Sequence, residues 1–201
     1  MKFDKLGMVL GMFVLIASLL YSCGPGEEAV VNPDQINIDN DYYEFQTFDL
    51  SKYELAAHIS LPDETANIGA SKPEVKHNEQ DIYWSINVGP NFQLYITDQG
   101  SYNDLIEVEK KELADISNFK IEYLVDSSDM ILYKRTLIVD GVEKASPKVG
   151  VSHVSYHVFG VKKIGGYTYS FESRTEGYEK AIIELMAKSI KSVKEKPVSA
   201  S

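Results

Sequence analysis

The sequence predicts an α+β protein, with an antiparallel β-sheet and two packed α-helices, one of them C-terminal. Three observations lead to this class. Several segments alternate apolar and polar residues with a period of two, as half-buried antiparallel strands do. Residues 101–117 and 176–193 show helical spacing instead. The resulting order of strands, helix, four strands and helix is typical of an α+β domain.

The first predicted strands precede residue 98. From about Glu44 the pattern has period two, and three runs carry alternating apolar residues, at 55–61, 82–88 and 92–96. Their intervening residues are mostly polar or small, apart from tyrosines. Each run therefore predicts a strand with one face on a core and the other face wetter.

The first helix is predicted over 101–117, where Ser101 can serve as the N-cap. Its apolar residues fall on one stripe: Tyr102, Leu105, Ile106, Leu113 and Ile116. Strands follow at 119–125 and 130–139, separated by an Asp-Ser-Ser-Asp turn, and Asp140-Gly141 is a second turn signal. Two further strands, 150–161 and 167–173, are predicted to form a hairpin. The last helix is predicted over 176–193, and a loose tail is expected from residue 197.

The N-terminus reads as a secretory leader. Lys2 and Lys5 precede an uncharged apolar run over 6–21, which is short of the ~20 residues that span a bilayer. Cys23, the only cysteine, follows at once in Leu20-Tyr21-Ser22-Cys23. This arrangement resembles the lipobox of bacterial lipoproteins. The resemblance implies that residues 1–22 are removed and that Cys23 is acylated, which tethers the protein to the membrane.

Two alternatives to the lipoprotein remain open: an ordinary secreted protein with a chance cysteine, and an uncleaved membrane anchor. After Cys23, residues up to 43 read as an acidic Gly/Pro-containing tether, and 44–196 as a single domain. Glu27-Glu28 resembles a signal for export to the surface of the outer membrane. We expect a bacterial envelope location, in the outer membrane, facing the periplasm or the surface.

Charge excludes one class of partner. The chain has 20 basic and 30 acidic residues, a net charge of −10, and losing Lys2, Lys5 and Asp4 with the leader makes it −11. Nucleic acid is therefore not an expected partner, because phosphates attract lysine and arginine. Anionic lipid surfaces would repel the domain as well. With Cys23 acylated, no disulfide or redox chemistry is expected.

The domain also resembles the Mog1/PsbP-like fold. The residues that carry this resemblance are Ile59-Ser60-Leu61-Pro62, the strand pair around Trp84, and Gly165-Gly166-Tyr167-Thr168-Tyr169-Ser170-Phe171 running into the terminal helix with Met186-Ala187-Lys188-Ser189-Ile190. The family mostly serves in binding or assembly and packs helices on both sheet faces. The alternation here predicts one fairly polar face.

Two features are candidate binding residues. Glu109 falls in the apolar stripe of the first helix, where burial raises a carboxyl pKa unless the group is paired. It is either a general acid or partner site, or a side chain that reaches solvent, pairs with a lysine or marks a bend. Tyr83, Tyr95 and Tyr133 are expected beside polar residues on the outer sheet face, as an aromatic patch for protein or sugar.

Metal sites are not predicted. His153 and His157 share a strand face, but four strand residues span roughly 13 Å, so we expect two solvent-facing histidines. Asp126 and Asp129 offer calcium-type oxygens, although Asp and Ser favour turns without an ion. No cofactor and no catalytic motif is recognised.

Three functions follow from these residues. The first is a non-enzymatic envelope lipoprotein that binds a protein partner as an assembly or accessory module. The second is a glycan- or ligand-binding lipoprotein that uses the tyrosine face. The third is a hydrolase that uses carboxylates such as Glu109, which requires a raised Glu109 pKa and a cleft around it.

Overall fold

The computed structural model describes residues 35–78, 80, 82–139, 142–143 and 154–197. Their architecture confirms the α+β class: antiparallel strands in two sheets and two α-helices, one of them C-terminal. The strands are β1 (Phe45–Asp49), β2 (Ala57–Pro62), β3 (Glu74–Asn78), β4 (Tyr83–Asn87), β5 (Gln93–Asp98), β6 (Phe119–Asp126), β7 (Met130–Val139), β8 (Val142–Glu143), β9 (Val154–Ile164), β10 (Tyr167–Ser173) and β11 (Lys194–Glu195). The helices are α1 (Leu105–Ala114) and α2 (Lys180–Ser192).

The larger sheet has the order β3-β4-β5-β10-β9-β7-β6, and β8 pairs with the end of β7. The smaller sheet has the order β1-β2-β11. Every described pairing is antiparallel, as the period-two pattern requires. The long β7 lies between β9 and β6 and is buried on both faces at its start, since Met130 and Leu132 belong to one core and Ile131 and Tyr133 to another. This burial on both faces explains why its sequence alternates so little.

One face of the larger sheet, here called the core face, carries the main hydrophobic core. The apolar residues Trp84, Ile86, Leu94 and Ile96, predicted to alternate in β4 and β5, point here and pack against β2 and α2. The prediction is wrong for Ile82, which has a positive φ of 53° before β4 begins and is exposed. The helix α2 contributes a wide buried stripe because its apolar residues recur at helical spacing. Its fully or almost fully buried members are Ile183, Met186, Ala187 and Ile190.

The opposite face, here called the α1 face, carries a second and smaller core. Ile106 and Leu113 of α1 pack on Ile131, Tyr133 and Phe159 of the strands β7 and β9. With only ten residues, α1 covers only the part of this face that β7 and β9 form. Helices therefore lie on both faces, but the α1 face is only partly covered.

Several predicted boundaries differ from the structure. The first helix begins at Leu105, with Asp104 rather than Ser101 at its N-cap, and Tyr102 lies outside it and is exposed. The last helix begins at Lys180, because Gly177 has a positive φ of 74° and Tyr178 pairs with Tyr156 instead. The turn predicted at 140–141 lies outside the described residues.

The compact unit begins at Ile36, earlier than the boundary predicted at residue 44. Ile36 and Ile38 pack against the core. The sequence does not predict this packing, because the residues around them are polar. Asp39 accepts a hydrogen bond from Lys188 of α2 at 2.8 Å. The segment 36–43 is therefore part of the domain, whereas the tether predicted before residue 35 lies outside the described residues.

We expect Gly160→Ala to destabilise the domain, because a Cβ at Gly160 would lie 2.7 Å from Cγ2 of the fully buried Ile190. Overpacking of this kind costs about 1–3 kcal/mol. Urea denaturation of both single variants and of the Gly160→Ala/Ile190→Ala double variant measures the coupling. The alanine should cost less once Ile190 is truncated, and an equal cost in both backgrounds would contradict the close approach of α2 to β9.

Candidate functional site

Strand register places the three candidate tyrosines on one face of the larger sheet. Residues directly opposite each other in an antiparallel pair share a face, and so do residues two apart in one strand. Tyr83 and Tyr95 thus lie on the same side as Tyr133, and that side is the α1 face, which also faces Glu109. The opposed pairs that connect them are Ser85–Tyr95, Tyr95–Glu172, Glu172–Phe159 and Phe159–Ile131.

The part of this face that α1 does not cover is here called the open half-face. It consists of the α1-face residues of β4, β5 and β10: Tyr83, Ser85, Asn87, Gln93, Tyr95, Thr97, Thr168, Ser170 and Glu172. Tyr83 and Tyr95 are half-buried, whereas the serines of the same face, Ser85 and Ser170, are buried. The two phenol rings therefore keep part of their surface available to a ligand.

Tyr133 differs from the expected exposed position, because only 4% of its surface is accessible. It lies beneath α1 and stacks on His157 at a ring-centroid distance of 5.1 Å. Its hydroxyl donates to Oε1 of Glu109 at 3.4 Å and accepts from a terminal nitrogen of Arg135 at 3.4 Å. Two of the predicted residues, Tyr133 and Glu109, are thus brought into direct contact. Burial raises the pKa of Tyr133.

Glu109 is partly buried, as its place in the helical stripe predicts. Burial, together with the charges of Glu172 and Glu112, raises its pKa, and Arg135 and the Tyr133 hydroxyl offset part of that rise. The closest polar partner in the described chain is the Tyr133 hydroxyl, rather than the lysine that the sequence suggested as one option.

Glu172 is a member of the site that the sequence did not single out. It lies at the boundary between the open half-face and the α1-covered half, opposite Tyr95 and Phe159. Burial raises its pKa, and no ion pair joins it to another residue of the described chain. The alternation of β10 carried the signal, since a carboxylate in a strand of otherwise buried residues is unusual.

His157 is 2% exposed, so the expectation of a solvent-facing histidine is wrong for this residue. Its Nε2 is 2.8 Å from the Ser155 hydroxyl, and burial together with the Arg135 charge lowers its pKa to about 3. His157 is therefore neutral at physiological pH, and its ring packs face to face against the ring of Tyr133. His153 lies outside the described residues.

These side chains surround a cavity of about 90 Å³, lined by Glu109, Tyr133, Arg135, His157, Phe159, Glu172 and Thr175 among others. Arg135 donates to the Thr175 carbonyl at 3.3 Å, while its buried Nε has no hydrogen-bond partner in the described chain. The cavity offers acceptors from the carboxylates of Glu109 and Glu172, and it is lined by two arginines, Arg135 and Arg174. It has room for about three waters.

The described residues contain no group of three or more ligating side chains that would suit a metal ion. Asp126 and Asp129, considered as calcium ligands, are paired with lysines instead. Lys110 lies 2.6 Å from Asp126, and Lys162 lies 3.0 Å from Asp129. The turn is held by these pairs and by Ser127, as its composition allows without an ion.

The anchor residue Cys23 lies outside the described residues. Within the described part of the chain, no helix is both long and apolar enough to cross a bilayer. No protein-family model, curated protein or solved structure matches the chain. Function is therefore inferred from the chain's own residues.

We expect the desolvated Glu172 to make stability depend on pH. Its folded pKa exceeds the usual value near 4.5, so the folded state holds the proton to higher pH than the unfolded chain. The contribution of Glu172 to folding stability is therefore complete at pH values below its usual pKa. That contribution is lost as the pH rises through the raised pKa of the folded state. Glu172→Gln removes this loss, so the variant should gain stability relative to wild type as pH rises.

Urea denaturation of wild type and Glu172→Gln from about pH 4 to about pH 8 measures this difference. Glu176→Gln, at an exposed position four residues away, is the control and should follow wild type at every pH. A Glu172→Gln difference that stays constant with pH would show that Glu172 is not desolvated. The lowered pKa of His157 makes its own contribution to stability rise with pH, opposite to that of Glu172. Because His157 is unchanged in all three proteins, this contribution cancels from the comparison.

Proposed function

We propose that this protein is a bacterial envelope lipoprotein, anchored in the outer membrane by acylated Cys23, whose domain binds a protein partner without catalysing a reaction. The observation that carries the binding role is the open half-face. It displays half-buried Tyr83 and Tyr95 on a face where α1 covers only the neighbouring half. Partly exposed aromatic rings within a polar surround are characteristic of protein interfaces.

The base of this face favours binding because it is held in place. The Gln99 side chain donates to the Ser170 hydroxyl at 3.0 Å, and backbone bonds from Gln99 and Thr168 join the β5–α1 connection to β10. Tyr95 lies on the same face as Ser170, between Ser85 and Glu172 of the neighbouring strands. A surface that is already ordered loses little conformational entropy when a partner binds.

A glycan is the second candidate ligand. The observation in its favour is the cross-strand pair of Tyr95 with Glu172, which sets an aromatic ring beside a carboxylate acceptor on an accessible face. Such a pair suits a sugar, because the ring can contact the sugar and the carboxylate can accept hydrogen bonds from the sugar hydroxyls.

Hydrolysis receives less support, although Glu109 has a raised pKa and does border a cavity. A cavity of about 90 Å³ has room for about three waters and is small for a substrate beside both carboxylates. The Tyr133 hydroxyl also points its proton at Glu109, which occupies that carboxylate within the protein. These contacts favour a positioning role for Glu109 beside the open half-face.

We expect Cys23→Ala to release the protein from the envelope, because acyl chains can no longer be attached. Membrane fractionation and labelling with a radioactive or clickable fatty acid measure the two effects together. Ser22→Ala is the matched control, since it keeps the cysteine and a small residue before it. A Cys23→Ala protein that stays in the membrane fraction would show that the anchor assignment is wrong.

We expect Tyr83→Ala and Tyr95→Ala to abolish retention of the protein partner. The tagged wild-type protein is purified from its native envelope in mild detergent, and the co-purifying proteins are identified by mass spectrometry. Tyr43→Ala, an exposed tyrosine in the segment before β1, serves as the control. A partner that all variants retain equally would exclude the open half-face as its interface. Glycan retention that depends on Tyr95, with no protein partner, would favour the second candidate.

A further inference from the structure

Three connections at one end of the larger sheet expose large side chains. Ile82 follows the β3–β4 connection, Tyr102 lies in the β5–α1 connection, and Tyr167 begins β10 after the Gly165-Gly166 turn. Their exposed fractions are 51%, 72% and 57%. These three residues are here called the tip. Exposed single hydrophobic residues need no explanation, but three at one end of a sheet do.

Hydrogen bonds show that the three connections are neighbours. The Asp98 amide donates to the Ile82 carbonyl at 3.1 Å, and the Thr168 amide donates to the Gly100 carbonyl at 2.7 Å. Lys163, opposite Thr168, reaches Asn103 beside Tyr102. The tip residues therefore belong to adjoining loops and present their side chains at the same end of the sheet.

Ile82 has a positive φ of 53°, a conformation that is costly for a β-branched residue. Because 51% of the Ile82 surface is exposed, burial within the described domain offsets this cost only in part. Strained residues of this kind tend to persist where function requires their position. Ile82 is therefore held in place as an exposed apolar group.

The chain enters the domain near the same end. Ile36 and Ile38 line a groove with Ser127 and Asp129 of the β6–β7 turn and with Lys162 of β9. The Asp129 carbonyl accepts from Val161, three residues before the end of β9. Ile36 follows Cys23 by 13 residues, so an anchor at Cys23 lies at most about 45 Å along the chain from this point.

The acidic groups of the β6–β7 turn are compensated by lysines. Asp126 pairs with Lys110 at 2.6 Å, and Asp129 pairs with Lys162 at 3.0 Å. Two carboxylates at this end of the sheet are thus paired with lysines, although Asp104, in the same connection as Tyr102, is exposed. This arrangement reduces the repulsion that an unpaired acidic surface would meet at a membrane.

We propose that the tip docks in the headgroup layer of the bilayer that holds the Cys23 acyl chains, so that the domain stands with this end of the larger sheet on the membrane. The inference depends on the lipid anchor proposed above. Tyrosine suits this layer because its ring is apolar and its hydroxyl remains hydrated. The anchor supplies a high local concentration, so weak contacts of three side chains suffice to set orientation.

The test places a tryptophan at the tip. Acylated full-length Tyr102→Trp is reconstituted into phosphatidylcholine vesicles with or without brominated acyl chains, which quench nearby tryptophan. Trp84 is buried in the core, so it contributes a constant background. Tyr43→Trp is the matched control, because Tyr43 is 71% exposed but precedes β1 of the smaller sheet. We expect brominated lipid to quench the Tyr102→Trp protein and to leave the Tyr43→Trp protein unchanged.

Two negative outcomes are distinguishable. If the vesicle-bound, acylated protein shows equal or no quenching in both variants, the docked tip is overturned and the anchor stands. If mass spectrometry finds no acyl chains on Cys23 and the protein does not float with vesicles, both proposals are overturned. A Tyr167→Trp variant repeats the test at the second tyrosine, and circular dichroism confirms that each variant is folded.

Discussion

The structure depends on the burial of the apolar stripe of α2, which contacts both sheets. Ile183, Met186, Ala187 and Ile190 pack into the core that β2 shares with the larger sheet. The Ser192 hydroxyl accepts from the Ser60 amide of β2 at 2.7 Å. Because one helix fills the core face, the only other α-helix of the described chain is left for the opposite face. That second helix is short, and this shortness is what leaves the open half-face.

The polar interior of the α1 face follows from the same arrangement. Tyr133, His157 and Arg135 lie where α1 ends its coverage, so they are partly or fully removed from water. Tyr133 donates to Glu109 and accepts from Arg135. Arg135 also donates to the Thr175 carbonyl, and His157 bonds to the Ser155 hydroxyl. Buried polar groups are tolerated when such contacts satisfy them. Glu172 has no ion pair in the described chain, so its carboxylate beside Tyr95 can accept hydrogen bonds from a ligand.

Much of the fold could be predicted because many of its strands have one buried face and one more solvent-exposed face, which gives an alternating sequence pattern. β7 matches its predicted bounds, and the apolar alternation of β4 and β5 identifies the core face correctly. β3 was missed because Val75 is its only apolar residue, and the two exposed residues of β11 carry no pattern. The division into two sheets is a long-range choice, made by the pairing of β2 with β1 and β11, and local periodicity cannot reveal it.

The candidate site shows the same limit. Glu109 was found because a carboxylate interrupts a helical stripe, which is a local signal, and the tyrosines because they sit at polar positions of strands. Their grouping with Glu172 depends on the order β5-β10-β9-β7, which joins residues far apart in sequence. The same order sets the tip at one end of the sheet and the open half-face along its side. A domain standing on its tip would therefore keep Tyr95 and Glu172 off the bilayer, whereas Tyr83, next to Ile82, lies where the binding surface adjoins the tip.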